Sequence, residues 1–508
     1  MAQPLQNITI SAPGFAGINT QDAPLQQEPS FAAIADNCII DKEGRIAARK
    51  GYTMVSSNGV AVLGSSDGIE SVGEFVQING TKVVFSAGNN KIFSGTSTLS
   101  DITGSLTISA NNWSMSSLAN KFYFFQRGHA PLVYDPSGAA LTTIAAHGSV
   151  AGTPQQAHIS LAAFGRLWVA DITGNKHTLY WTDSLNGLAW TGGSSGSLDL
   201  TTVWPNGFDE IVSVQSHNNF LIILGKRSIL VYSGATDPSS MVLADTILNI
   251  GCVGRDAIQS TGKDILFLDF SGVRSLSRTV QEKSAPIGDI SANVNSEIKT
   301  RVKSETGNIK SIYDPNNAFF LVNFPEVGVV YCFDTRYPLG NGSYRTTTWT
   351  QMKPLSFAVT DADELYLGVS TGIAKYDSYT DNTSSFALQY FSHPLSFGDS
   401  SRLKFLKKVN VTTFSGENAN VTLNWAYDYR GDYRTQVYTL PDFVGALYNI
   451  SEFNTSAEYS SGSSLINTQK VNTGGSGSVV TVGISTIVNG KEIAFQEFNI
   501  HSTIGRIN

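Results

Sequence analysis

The stretch NNFLIILGKRSILVYSG, residues 218–234, decides the fold. A polar Asn pair opens it, the apolar run from Phe220 to Leu224 follows, and Gly225-Lys226-Arg227 breaks the run. A second apolar run then ends at Tyr232 before Gly234. Two strands of five or six residues around a short polar turn are a β-hairpin. The same unit recurs as GTKVVFSAGNNKIFSG (80–95), NKFYFFQRGHAPLVYD (120–135) and GRLWVADITGNKHTLYWTD (165–183). It returns as KDILFLDFSGVRSLSR (263–278), NNAFFLVNFPEVGVVYCFD (316–334) and DELYLGVSTGIAKYD (363–377). Its first apolar positions, Val83, Phe122, Leu167, Phe220, Ile265, Phe319 and Leu365, are separated by 39, 45, 53, 45, 54 and 46 residues. Each hairpin uses only part of that period, and the remainder holds two more strands. Four strands per ~40–50 residues is the blade of a β-propeller. Seven hairpins predict about seven blades. Six or eight stay open because blade ends carry no marker, and hairpins of β-sandwiches are the competing reading.

Working outward, the spacing breaks between the fifth and sixth hairpins. There Ile290, Val294, Ile298 and Val302 recur every fourth residue, one face of a helix. This predicts a helical insertion over about 289–306, with Asp289 or Ser291 as N-cap and Gly307 closing it. Residues 1–65 read as an extended N-terminal arm with one short helix at Pro29 to Asp36. Residues 66–384 read as the propeller. From 385 to 508, longer alternating strands such as RLKFLKKVNVTTFSG and NANVTLNWAYDYRG predict a C-terminal β-sandwich-like module. Ser460 to Ser478 reads as an exposed Ser/Gly-rich loop within it. The fold class is all-β.

Composition agrees. Charged residues are 15 % of 508 and Gly numbers 47, so Ser, Thr, Asn and Gly carry the polarity, as in turn-rich β proteins. A net charge of −7 argues against a sequence-reading nucleic-acid protein, which needs basic stripes. Three scattered cysteines, Cys38, Cys252 and Cys332, fit buried small hydrophobes in a reducing compartment. The opening MAQPLQNITISAPGF lacks the pattern of a secretory signal, and no apolar run reaches the length of a membrane span.

Catalytic patterns do not emerge. A glycan-cleaving propeller needs two carboxyl groups about 5–10 Å apart, whereas Asp135, Asp183 and Asp377 each follow a strand-ending aromatic, where Asp makes turns. GGSSG at Gly192 to Gly196 matches the letters of a nucleophile elbow without the helix that must follow. The seven His residues, His158 among them, sit at no metal-ligand spacing and read as turn or edge residues. No catalytic residue, cofactor or metal is expected. Basic residues cluster twice: Arg45, Arg49 and Lys50 close the arm, and Arg402, Lys407 and Lys408 open the C-terminal module. Arg402 and Lys404 fall on one strand face, opposite Leu403 and Phe405. These clusters are solvated faces or docking points for a neighbouring subunit. They are poor nucleic-acid grooves, since no exposed aromatics interleave them.

The stretch GFAGINTQDAPLQQEPSFAAIADNCIIDKEGRIAARKGY resembles the opening of the tail tubular protein B, or tail nozzle, family of podoviruses, the short-tailed bacteriophages. Gly17, Ile18, Gln21, Pro24, Asn37, Gly44 and Arg49 carry the match, while Lys50-Gly51 replace the family's Pro. The order of segments from AAFGRLWVADITGNKHTLYWTD to SAPIGDIS is similar to the related packaged-DNA stabilisation proteins. The resemblance implies a structural virion protein of the tail, assembled in the host cytoplasm. It implies a homohexameric ring beneath the portal-side adaptor, in contact with tail fibre or spike proteins. The ring would close the channel, retain genomic DNA without reading its sequence, and open for ejection. The alternative is a glycan-binding or glycan-cleaving propeller of the tail.

Overall fold

The computed structural model describes residues 5–56, 68–138, 140–205, 207–282, 289–441 and 466–507. They divide into two compact units, one of Met54–Gly328 and Lys353–Tyr376, the other of Met1–Thr53, Val329–Met352 and Asp377–Asn508.

The first of these is a six-bladed β-propeller, each blade an antiparallel meander. Its opening blade runs Ser71–Val76, Lys82–Gly88, Lys91–Ser94, Ser100–Asp101, and the second Ser114–Leu118, Lys121–Phe125, Leu132–Tyr134, Leu141–Thr143. The third begins at Ala157–Ala163 and the fourth at Ile211–His217; the fifth has three strands from Ile258–Ser260. The sixth comprises Ser356–Val359, Leu365–Val369 and Gly372–Lys375. Six of the seven expected hairpins form and build separate sheets. The remaining one is divided at its turn, with Phe319–Phe324 in the propeller and Val329–Asp334 in the other unit. Lys310–Asp314 pairs with Phe319–Phe324 and packs between the first strands of the fifth and sixth blades.

Local chemistry explains the blades. Two-residue turns at Asn89-Asn90, Ala119-Asn120 and Asn218-Asn219 hold both central residues at positive φ, which matches the twist of the flanking strands. Asn supplies that conformation at low cost. Strand alternation then sends Phe122 and Phe124 toward the first blade, where Phe75 and Phe85 meet them, and Tyr123 and Phe125 toward Leu167 and Val169 of the third. Phe85 stacks on Phe122 at 5.1 Å between centroids, a contact worth about 1 kcal/mol beyond its burial. First and last blades meet where the Ile69 N–H donates to the Val369 carbonyl (3.1 Å) and the Ser356 hydroxyl to the Ile69 carbonyl (2.8 Å).

Two helices follow the fifth blade: α1 (Leu276–Glu282), which the periodicity did not announce, and α2 (Asn295–Ser304), preceded by a 3-10 turn at Ala292–Val294. Ile290, Val294 and Ile298 are buried as the stripe requires. The expected caps are engaged elsewhere. Ser291 Oγ accepts from the Val273 N–H at 2.8 Å, and Asp289 pairs with Arg274. Glu305, not Gly307, ends the helix.

The second unit overturns the expected extended arm. Leu5–Ser11 pairs along Ile493–Ile507, which also pairs with Arg402–Ser415 and Ile46–Ala48. Gly17–Ile18 and Phe31–Asp36 join a second sheet with Arg345–Trp349, Phe386–Ser392, Val480–Val488, Asn420–Tyr427 and Arg434–Thr439. The helix expected at Pro29 to Asp36 is therefore a strand, because its residues find sheet partners on both sides. Phe15 and Tyr390 meet Phe498 between the two sheets, with Tyr390 and Phe498 stacked at 5.8 Å. Of the loop expected at Ser460 to Ser478, Ile466–Asn472 is a strand and 460–465 lie outside the described residues.

Candidate functional site

Residues of the first blade strands converge at the propeller centre. Ser71 to Glu74, Ser114 to Ser117, Gln259, Lys310 to Ile312 and Ser356 line a cavity of about 350 Å³. A second cavity of about 310 Å³ is lined by Arg127, His158, Asp171, Lys176, Glu210, Lys226 and Phe270, among others. Arg255 and Asp256 belong to both walls, so their cluster partitions the two spaces.

The partition is built from charge. Asp256 accepts from Arg255 Nε at 2.8 Å, Arg255 Nη2 at 2.7 Å and Lys310 Nζ at 2.6 Å. The Arg255 and Lys310 side chains are each 7 % exposed. Asn112, just ahead of the second blade, accepts on Oδ1 from Arg255 Nη2 (2.6 Å) and Lys310 Nζ (2.5 Å). Arg255 Nη1 also donates to the backbone carbonyls of Asn112 (3.2 Å) and His158 (3.0 Å). One guanidinium thus ties the second, third and fifth blades together.

Burial opposes ionisation of Asp256, but the charges of Arg255 and Lys310 outweigh it and hold the carboxyl far below the usual carboxylate range. Such a group donates no proton near neutral pH, which a glycan-cleaving acid must do. Burial, reinforced by the charges of Arg255 and Arg127, pushes the His158 imidazole down to about 3, so it stays neutral at pH 7. Around the cavity rim Arg127 pairs with Asp171, and Lys176 and Lys226 share Glu210. Among the described residues no group of three His, Cys, Asp or Glu could hold a metal ion.

The basic residues singled out in the sequence all fall in the other unit. Arg49 is fully buried within its own unit. Its guanidinium meets Asp381 through two bonds (2.8 and 2.7 Å), donates to Asn37 Oδ1 (3.0 Å) and lies 4.0 Å over the Phe386 ring. Arg45 is held by Asp41 and Glu43 over Phe414, and Lys50 is half-buried. Arg402 and Lys407 are exposed and Lys408 half-buried. Lys404 is buried beside Leu406 rather than sharing Arg402's face, because the register shifts between Arg402 and Lys404. The structure does not bring the two clusters together. Arg45 sits at Phe414 and Arg402 twelve residues earlier on the same strand, about 40 Å of extended chain.

Sequence reasoning missed Arg255, Asp256, Lys310 and Asn112. Arg255-Asp256 precedes a blade strand, and so does Asn112, but only the ring closure makes these positions neighbours. Of the turn acids, Asp135 accepts from the Ser137 N–H within its own turn, whereas Asp183 accepts from the more distant Ser194 N–H, both at 2.9 Å. A strand, Gly196–Asp199, follows GGSSG where a nucleophile elbow would need a helix. All three cysteines are buried and free. Among the described residues no helix is long and apolar enough to cross a membrane.

No protein-family model and no curated protein sequence matches the chain. Among solved structures, the extracellular domain of a one-component system of B. thetaiotaomicron is similar with TM-score 0.41 and 12 % identity, over 65 % of this chain and 40 % of that one. The Neurospora crassa Pan2 WD40 domain is similar with TM-score 0.38 and 9 % identity, over 66 % of this chain and 96 % of that one. The extracellular domain of a hybrid two-component system of B. thetaiotaomicron gives TM-score 0.33 and 10 % identity, over 72 % of this chain and 56 % of that one.

Proposed function

We propose that the protein is a structural virion subunit of a short-tailed bacteriophage. In this reading it is a tail-nozzle protein that works as a homohexameric ring, retains packaged DNA and catalyses no reaction. One observation carries the reading: residues that bear the nozzle-family resemblance are those on which the second unit's geometry depends. Gly17 has φ +82°, and a Cβ there would lie 2.4 Å from the Thr346 carbonyl oxygen. Gly44 has φ +78°, and its Cβ would lie 2.6 Å from Pro13. Asn37, at φ 52°, is buried and donates to the Ala387 carbonyl while accepting from Arg49. The departure from the family pattern has a local reason. Gly51 donates its N–H to the Ser378 carbonyl at 2.6 Å, and a Cβ there would sit 2.1 Å from the Thr380 oxygen, so Pro would fit badly.

The propeller suits a scaffold. Its central charges are spent on one another and lock blades together. The glycan-binding alternative has one observation in its favour: Phe270, 51 % exposed, lies on the wall of the polar 310 Å³ cavity, where an aromatic face could stack on a sugar. The two readings part experimentally. Phage particles assembled without this protein should package DNA and then lose it, and added purified protein should restore retention. Particles that keep their DNA without it would overturn the nozzle reading, and glycan binding by the isolated protein would then favour the alternative.

A further inference from the structure

We propose that Lys310 and Asn112 become joined by an intramolecular isopeptide bond, with Asp256 carrying the proton and Arg255 holding the developing oxyanion. The proposal rests on the propeller centre alone and is independent of the tail reading.

Lys310 and Asn112 are already in hydrogen-bond contact. Lys310 Nζ lies 2.5 Å from Asn112 Oδ1. A C=O bond is about 1.2 Å long, so the carbonyl carbon is at most about 3.7 Å from the amine, close to reacting distance. Both side chains are held. Asn112 is 6 % exposed, and Lys310 opens a strand whose next residue, Ser311, donates its N–H to the Asp256 carbonyl at 2.8 Å. Lys310 Nζ touches Asp256 Oδ2 at 2.6 Å, so a proton has an acceptor already in contact. Arg255 Nη2 points at Asn112 Oδ1 from 2.6 Å, where negative charge would collect when the carbonyl is attacked. Burial also pushes the Lys310 ammonium below its ordinary value, against the opposing charge of Asp256, which favours the nucleophilic amine.

The step balances without a co-reactant. The Lys310 ammonium gives one proton to the Asp256 carboxylate, and the freed amine attacks Asn112 Cγ. The new C–N bond forms as the carbonyl electron pair moves to Oδ1 beside Arg255. A second proton passes from the Lys310 nitrogen to Asn112 Nδ2. Collapse restores the carbonyl, breaks the bond between Cγ and Nδ2, and releases ammonia, which takes the proton back from Asp256. The products are a secondary amide, an ammonium ion and an ionised Asp256; nothing is oxidised or reduced. Asp256 is a weak base, but the reaction happens once per molecule and can be slow. The reward is a covalent strap across 198 residues of chain, which constrains the unfolded state and resists forced opening of the ring of blades.

Intact-mass spectrometry of the purified full-length protein tests this. The expected mass is one ammonia below that of the sequence, with a branched proteolytic peptide joining the Asn112 and Lys310 segments that survives boiling and reduction. Lys310→Arg keeps the charge but removes the nucleophile, and should restore the full mass and abolish the branched peptide. Full mass in the native protein with linear Asn112 and Lys310 peptides overturns the proposal. So does an ammonia loss that maps to an Asn-Gly step such as Asn341-Gly342. The wild-type measurement decides even if the variant fails to fold.

Discussion

Arg49 and Arg255 are both buried guanidiniums paired with a carboxylate, yet they do different work. Arg49 in the strand-composite unit is sealed: Asp381 takes two of its bonds, Asn37 a third, and Phe386 covers its face. Arg255 in the propeller stands in the wall between two cavities, sharing Asp256 with a buried lysine and Asn112 with the same lysine. The same residue type is thus a strut in one unit and part of a charged junction in the other. Neighbours decide which, since a guanidinium keeps its charge in both places.

The largest expected effect tests the strut. Asp381→Ala leaves the Arg49 charge buried and unpaired, and should cost about 3–5 kcal/mol in denaturant unfolding. A loss below about 1 kcal/mol would mean Arg49 finds water and is no strut. Next comes the backbone of the same unit. Gly17→Ala forces a side chain against Thr346 at positive φ and should cost roughly 2 kcal/mol.

The junction has a pH signature in His158. His158 sits near 3 in the folded chain against 6.5 unfolded. Between those values the unfolded chain binds a proton that the folded chain refuses. Stability from this residue is therefore full above pH 6.5 and falls as pH drops toward 3, at roughly 1 kcal/mol per pH unit. His158→Gln should flatten that part of the stability profile. An unchanged slope would contradict the neutral buried imidazole. Smallest of all, Arg402→Ala should leave the unfolding midpoint where it is, since this side chain is exposed and its partner Asp399 is at the surface. If the residue docks a neighbour, the same variant should weaken assembly onto particles; normal assembly would remove it as an interface residue.

The blades were legible because a hairpin writes itself locally. Asn-Asn turns and alternation around Phe122 or Phe220 need no distant partner to be read. The second unit was legible in its C-terminal strands but not in the rest, because its strands come from three separated stretches. Phe31–Asp36 finds Phe386–Ser392, and Leu5–Ser11 finds Ile493–Ile507. Nothing local in SFAAIAD announces a partner more than three hundred residues away, so the segment read as a short helix in an arm. Within the first basic cluster, the burial of Arg49 was hidden for a related reason. Arg49 looked like a surface charge until Asp381 arrived from the far side of the propeller segment. The central junction was invisible because Asn112, Asp256 and Lys310 share no motif. They share only their position around a closed circle.

The nozzle reading is tested most directly by antibody-labelled electron microscopy of phage particles that contain this chain. Label at the distal end of a short tail, in about six copies arranged as a ring, is the predicted result. Label on spikes around the tail, or particles without label, would contradict it.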